Sequence, residues 1–257
     1  MTGLLASASS ASDPGSGGHR TAVPALAEHQ LHLWLCSRDR IASSDDFKRR
    51  VLSRYADVAP ADWQFAANTQ GKPVFAGAAH ALDFNISHSG DWLACGVTAG
   101  TPIGVDLEYC DPARASMKLA RRFYRQEEVD ALQDCSSDQQ NERFYDLWTL
   151  KEAAVKARGE ALVPGLVARG FALTFPSDLT SVTGQIALTT PALASGEHYC
   201  LLDPLAGYRV AICWLSSTPL PPELRVFELC EDEESIAVHV PLRASTWPLR
   251  EITDACH

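Results

Sequence analysis

Two segments, Gly104-Val105-Asp106-Leu107-Glu108 and Trp148-Thr149-Leu150-Lys151-Glu152-Ala153-Ala154-Val155-Lys156, place three carboxylates and two lysines in one strand-like and one helical setting. Side chains on a strand alternate faces. Over Thr101 to Tyr109, Asp106 and Glu108 therefore point one way while Val105 and Leu107 enter a core. From Asn141 to Arg158 the apolar residues Phe144, Leu147, Leu150, Ala154 and Ala157 recur at helical spacing, and Trp148, Glu152 and Lys156 fall four apart on a neighbouring stripe. Hard oxygen ligands on one face, with a further carboxylate and a cation one turn apart, suit metal-assisted transfer of a phosphoryl-type group. Taken singly, each segment also fits an ordinary solvated face, because an exposed Glu-Lys helix pair is common and worth only roughly a few tenths of a kcal/mol.

Upstream, Gly71-Lys72-Pro73 forms a turn, and Leu82-Asp83-Phe84-Asn85-Ile86-Ser87-His88-Ser89-Gly90 alternates like a strand before ending in a Ser-His-Ser-Gly turn. The order Gly-Lys-Pro, Phe-Asn-Ile-Ser-His-Ser, Ile-Gly-Val-Asp-Leu-Glu, then Phe-Tyr-Asp-Leu-Trp-Thr-Leu-Lys-Glu-Ala-Ala-Val-Lys resembles the 4'-phosphopantetheinyl transferases of the Sfp type. These enzymes act on carrier domains of peptide and polyketide synthases. The resemblance runs from about Leu31 to about Leu215.

That resemblance implies an α+β fold of two similar halves related by a pseudo-twofold, with the active site in the cleft between them. Residues 1–30 are then a flexible tail, 31–105 a first half with coenzyme A-binding motifs, and 106–216 a second half with the metal and catalytic motifs. Residues 217–257 form an extension of unknown role. A faint echo between residues 90–97 and 207–214, each a turn followed by an apolar strand, agrees with two similar halves.

The implied reaction moves the phosphopantetheine arm of coenzyme A to a serine of an apo acyl or peptidyl carrier protein and releases 3',5'-ADP. The resemblance puts Mg2+, or Mn2+ in its place, on Asp106, Glu108 and Glu152. Lys156 and Lys151 would add positive charge to the transferring group, and Glu152, directly or through a metal-bound water, would take the serine proton. His88 is expected on a diphosphate oxygen with Ser87 and Ser89 nearby, Lys72 on the coenzyme's phosphate or adenine side, and Arg40 on the 3'-phosphate. Members of the family usually carry a further basic helical stretch between the first strand and the helix expected at Asp45 to Tyr55. Only residues 37–44 lie there in this chain, so either Arg38, Arg40 and the helix arginines do all of the gripping or coenzyme binding is weakened. A rival reading is a degenerate homologue that binds carrier domains without turnover, and the retained carboxylates and lysines argue against it.

Composition bounds the rest. At 257 residues and 46% hydrophobic content, the chain can bury one large core or two small ones. A net charge of -10 disfavours nucleic acid and anionic membranes as partners, so an anion site must be a local basic patch. The eight cysteines are scattered with no Cys-x-x-Cys pair, which argues against a zinc site or disulfide framework, and Cys95 and Cys213 fit small core positions. Residues 1–30 are rich in Ser, Gly, Ala and Pro, and from Met1 to His19 neither a charged leader nor an apolar run long enough for a signal peptide is expected, nor a membrane span anywhere. A cytoplasmic monomer is the expectation, with coenzyme A and carrier domains as partners.

The remaining elements follow from periodicity. Residues 31–36 suit a strand, and Asp45 to Tyr55 a helix burying Phe47, Val51 and Tyr55. Ser116 to Leu132 suits one or two helices with Lys118, Arg121 and Arg122 in the first part, and the helix from Asn141 is preceded by a Ser137/Gln140 capping box and closed by Gly159.

Overall fold

Leu31, Leu33 and Leu35 alternate with His32, Trp34 and Cys36, and all six side chains are buried in strand β1 (Gln30–Ser37). Burial of both faces means that β1 has packing layers on either side of it. A computed structural model of the protein shows both layers and describes residues 26–76, 81–114, 116–176, 183–190, 196–216, 222–230 and 235–246. Most of the expected N-terminal tail, the acidic run at 231–234 and Cys256 lie outside the described residues.

After β1 come α1 (Ser44–Leu52), β2 (Phe65–Ala67), β3 (Pro73–Phe75), β4 (Asp83–Ser89), β5 (Trp92–Thr98) and β6 (Ile103–Tyr109). Three helices follow, α2 (Ser116–Phe123), α3 (Gln126–Gln133) and the long α4 (Ser137–Arg158), then the short α5 (Leu162–Ala168). The chain continues through β7 (Phe171–Thr174), β8 (Gly184–Leu188), β9 (Glu197–Leu202), β10 (Tyr208–Leu215), β11 (Glu223–Leu229), β12 (Ser235–Ala237) and β13 (Leu242–Ser245). Strands assemble into a five-stranded sheet, β12-β11-β1-β5-β4, and a six-stranded sheet, β6-β10-β9-β13-β8-β7, beside the small β2-β3 hairpin.

The alternation sorts side chains into three cores. Leu31, Leu33, Leu35 and Ala94 meet Val105, Leu107, Val210 and Ile212 between the two sheets. Trp34, Cys36, Val97 and Phe84 turn the other way, onto Phe47, Val51 and Leu52 of α1. Tyr199, Leu201, Ala211 and Cys213 face Phe144, Leu147, Leu150 and Ala154 of α4. The order of layers is helix, sheet, sheet, helix, a mixed α+β architecture with apolar contact at every boundary.

The two sheets are wired alike. In the first, β1 pairs antiparallel with β5 and β5 with β4. In the second, β6 pairs antiparallel with β10 and β10 with β9. The turns that the sequence echo singled out open β5 and β10, and each contains a glycine at positive φ, Gly90 at 52° and Gly207 at 76°.

Several boundaries differ from expectation. The division at 105/106 falls inside β6, which pairs with β10 as one strand from Ile103 to Tyr109. Within 217–257, β11 lies parallel to β1 and β13 inserts between β9 and β8, so this extension completes both sheets. Helix α4 starts four residues before Asn141, with Ser136 at its cap and no side-chain capping bond, because Gln140 instead donates to the Leu132 carbonyl at 2.9 Å. It ends as expected at Gly159, whose φ of 62° is left-handed. Tyr55 lies beyond the end of α1, where its hydroxyl accepts a bond from Trp34 Nε1 at 2.6 Å. Among the described residues no helix is long and apolar enough to cross a membrane, and the described cysteines are free.

Candidate active site

Gly104, Asp106 and Glu108 share one face of β6, and α4 crosses that face. A Cβ on Gly104 would stand 2.0 Å from the Ala153 carbonyl oxygen and 2.4 Å from the Ala157 nitrogen, so only glycine lets strand and helix approach this closely. Two residues along, the close approach brings Asp106 to Lys156, whose ammonium lies 2.5 Å from Asp106 Oδ1. Two further along, Glu108 Oε1 accepts a bond from Trp148 Nε1 at 3.2 Å. Glu152, one turn before Lys156, has its Oε2 3.7 Å from the same ammonium. The stripe Trp148-Glu152-Lys156 on α4 thus lies along the stripe Glu108-Asp106-Gly104 on β6.

Strand β4 approaches from the other sheet. The Ser87 hydroxyl donates to Asp106 Oδ1 at 3.1 Å and accepts from Lys156 Nζ at 3.0 Å. The Ser89 hydroxyl donates to Glu108 Oε2 at 3.1 Å. Arg114, just past β6, brings a guanidinium nitrogen to 3.7 Å from the same Oε2 and stacks 5.4 Å from the Trp148 ring.

Crowded negative charge shows in the titration of these groups. Burial and the Asp106 charge push the Glu152 carboxyl up to about 7 against the opposing pull of Lys156. Glu108 is raised by burial and then by Asp106, with Arg114 and Ser89 acting the other way. Burial works against the Lys156 charge, yet Asp106 and Glu152 outweigh it and raise the ammonium above its ordinary value.

Five of the expected site residues, Asp106, Glu108, Glu152, Lys156 and Ser87, come together here. The other expected residues stand elsewhere. Lys151 is fully buried on another face of α4, paired with Glu128 at 2.8 Å and bonded to the carbonyls of Leu166 and Arg169. Adjacent helix residues are about 100° apart, which is why Lys151 cannot share the Glu152 face. His88 is exposed, and the alternation of β4 turns it away from the face of Ser87 and Ser89. Lys72 is tied to Asp83 Oδ1 at 3.3 Å and to the Ile103 carbonyl at 3.1 Å, at the opposite end of β4 from Ser89. Arg40 pairs with Glu228 Oε1 at 2.8 Å. Trp148 and Arg114 were not singled out as functional: the stripe contained Trp148, whereas nothing in the pattern around Arg114 marks it.

Among the described residues no three His, Cys, Asp or Glu side chains converge into a ready cage. The chemistry nevertheless fits a hard cation that keeps most of its waters and uses one or two carboxylates. Asp106 is 2% exposed and its Oδ2 has no hydrogen-bond partner, an uncompensated buried acceptor that a cation would satisfy.

Comparison with known proteins agrees with this geometry. Residues 102–213, which hold both β6 and α4, match the model of the 4'-phosphopantetheinyl transferase superfamily. The chain is 32% identical over 174 residues to 4'-phosphopantetheinyl transferase Sfp of Bacillus subtilis (strain 168), covering 68% of this chain and 73% of that protein. It is 34% identical over 181 residues to the Bacillus subtilis 4'-phosphopantetheinyl transferase ffp, with the same coverage of 68% and 73%. The chain belongs to the 4'-phosphopantetheinyl transferase superfamily. A shorter match, 34% over 127 residues, is to 4'-phosphopantetheinyl transferase HetI of Nostoc sp. (strain PCC 7120 / SAG 25.82 / UTEX 2576), covering 49% of this chain and 54% of that one. The matched span holds the carboxylates and Lys156 of the site, while β4 with Ser87 and Ser89 lies before it.

Proposed function

We propose that this protein transfers the 4'-phosphopantetheine arm of coenzyme A to a serine of an apo carrier protein, in a cytoplasmic setting and as a monomer. The observation that carries the reading is the Lys156 ammonium held among Asp106, Glu152 and Ser87, with Glu108 beside them. The serine oxygen attacks the phosphorus nearer the pantetheine arm, a new P–O bond forms, and the bond to the 3',5'-ADP oxygen breaks. Lys156 and Arg114 are cations beside the carboxylates, suited to offset charge on the transferring group and the leaving oxygen. Glu152, with its carboxyl raised to about 7, suits acceptance of the serine proton near neutral pH. Mg2+, with Mn2+ as a substitute, would sit on Asp106, Glu108 and Glu152 and supply Lewis-acid polarisation of the diphosphate. Nothing in the fold favours the rival reading of carrier binding without turnover.

The test is mass spectrometry of an apo carrier incubated with coenzyme A and the protein, with and without exhaustive chelation. One phosphopantetheine mass added to one serine, and lost on chelation, is the expected result. Equal addition after chelation removes the divalent ion from the reaction, and no addition to any carrier type overturns the reading.

A further inference from the structure

The two sheets meet along β4 and β6, and no backbone ladder joins them there. Both are edge strands, and an edge strand presents unpaired N–H groups on alternate residues. On β6 those of Val105, Leu107 and Tyr109 are taken by side chains of β4. Val105 N donates to Asn85 Oδ1 at 2.8 Å, Leu107 N to Ser87 Oγ at 3.2 Å, and Tyr109 N to Ser89 Oγ at 3.0 Å. Residues two apart on one strand thus cap residues two apart on the other.

At two of the three rungs the same hydroxyl also donates to a carboxylate. Ser87 joins the Leu107 amide to Asp106, and Ser89 joins the Tyr109 amide to Glu108. Each serine holds a β6 side chain against the β6 backbone of the following residue. A serine hydroxyl has one donor and two acceptor sites. Ser87 uses all three, donating to Asp106 and accepting from Leu107 and Lys156. Ser87, expected among the cofactor-binding residues, lies here on the carboxylate side of the seam.

We infer that Ser87 and Ser89 are positioning residues of the transfer reaction, which fix the carboxylates of Asp106 and Glu108 through the side-chain seam between the two sheets. The inference rests on the function proposed above only for the reaction it serves, because the seam itself is geometric. Ser87 holds Asp106 Oδ1 toward Lys156, which leaves Oδ2 as the open oxygen, and Ser89 with Trp148 holds both oxygens of Glu108. Loss of a hydroxyl frees its carboxylate to rotate and leaves one β6 amide, the buried one of Leu107 or the exposed one of Tyr109, without its side-chain acceptor. Asn85 supplies the internal control, since it caps Val105 without touching a carboxylate.

The test uses the full chain with Ser87→Ala, Ser89→Ala, Ser87→Thr and Asn85→Ala. Mn2+ affinity is read by electron paramagnetic resonance, amide exchange by NMR, and carrier modification by kinetics. The serine-to-alanine variants should lose about tenfold or more in Mn2+ affinity and in kcat, with KM for coenzyme A within about threefold, as loss of a ligand's orienting partner does. Ser87→Thr, which keeps the hydroxyl, should recover most of both. Asn85→Ala should speed exchange at Val105 and leave Mn2+ affinity unchanged. Wild-type Mn2+ affinity in both serine-to-alanine variants, or an equal loss in Asn85→Ala, overturns the inference. A protein that binds Mn2+ in this seam-dependent way yet modifies no carrier would overturn the proposed function and leave the seam standing.

Discussion

The Lys156 ammonium lies 2.5 Å from Asp106 Oδ1, tying the last turn of α4 to the edge strand β6 at the centre of the carboxylate cluster. This contact exists because Gly104 carries no Cβ to hold the helix off. The apparent oddity of a cation inside a proposed cation site resolves through charge. Three carboxylates against Lys156 and Arg114 leave an excess of negative charge, and Asp106 Oδ2 remains open.

Asp106→Ala and Glu152→Ala should each lower carrier modification by orders of magnitude in kcat while leaving the fold intact, because each removes charge from the reacting centre. Glu108→Ala should be milder, since water can replace one carboxylate oxygen in a magnesium shell. Stopped-assay kinetics with one apo carrier decides it. Turnover at the wild-type rate in either of the first two variants would remove that residue from the site.

Glu152 also makes a stability statement. Its folded value of about 7 lies above the ordinary 4.5, so its favourable contribution is complete below the unfolded value and is lost as pH rises through 7. At pH 8 ionising it in place costs on the order of 2–3 kcal/mol. Glu152→Gln cannot ionise and should therefore melt higher than wild type at pH 8, by ~5 °C, and equally near pH 4. Calorimetry at the two pH values reads this, and an equal Tm at pH 8 would show that the carboxylate is not strained by its neighbours.

Lys151 should prove structural. Lys151→Ala leaves Glu128 charged and unpaired in the interior, a loss of roughly 3–5 kcal/mol. Glu128 also accepts the Phe171 amide at 2.8 Å, so the informative variant is Lys151→Met with Glu128→Gln, which removes both charges and keeps that acceptor. Denaturation should show much of the stability restored, with kcat near wild type. A drop in kcat by orders of magnitude in this folded double variant would return Lys151 to the chemistry.

The sequence made the site legible where periodicity alone decides which residues share a face. Alternation on β6 grouped Asp106 with Glu108, and four-residue spacing on α4 grouped Trp148, Glu152 and Lys156. Periodicity also separates Lys151 from Glu152, although the motif lists them side by side. What no local pattern contains is the identity of the strand across a gap. The Asn-x-Ser-x-Ser alternation of β4 marked a face, but only the meeting of two sheet edges shows that this face caps β6, while His88 faces outward. The same holds for β13, whose place between β9 and β8 depends on pairing partners about 45 and 60 residues away, given its registers with Leu201 and Gly184.

His32 supplies a second titration, remote from the carboxylate cluster. Trp34 Nε1 donates to the Tyr55 hydroxyl, and His32 Nδ1 shares a hydrogen bond with the same hydroxyl at 2.9 Å, its direction set by the ring's tautomer. The ring is neutral in this arrangement, with its Nε2 buried and unpartnered. Burial, followed by the Arg225 charge and opposed by Glu223, lowers His32 from 6.5 to about 4. For a lowered histidine the stabilising contribution is complete above 6.5 and is lost as pH falls toward 4, because the unfolded chain binds the proton first. At pH 5 the loss should be about 2 kcal/mol. His32→Phe, facing Phe227 at a ring distance of 5.1 Å in the parent, should flatten the acid limb of a Tm-versus-pH curve between 6.5 and 5. An acid limb as steep in the variant as in wild type would assign the acid sensitivity to the ion-paired carboxylates instead.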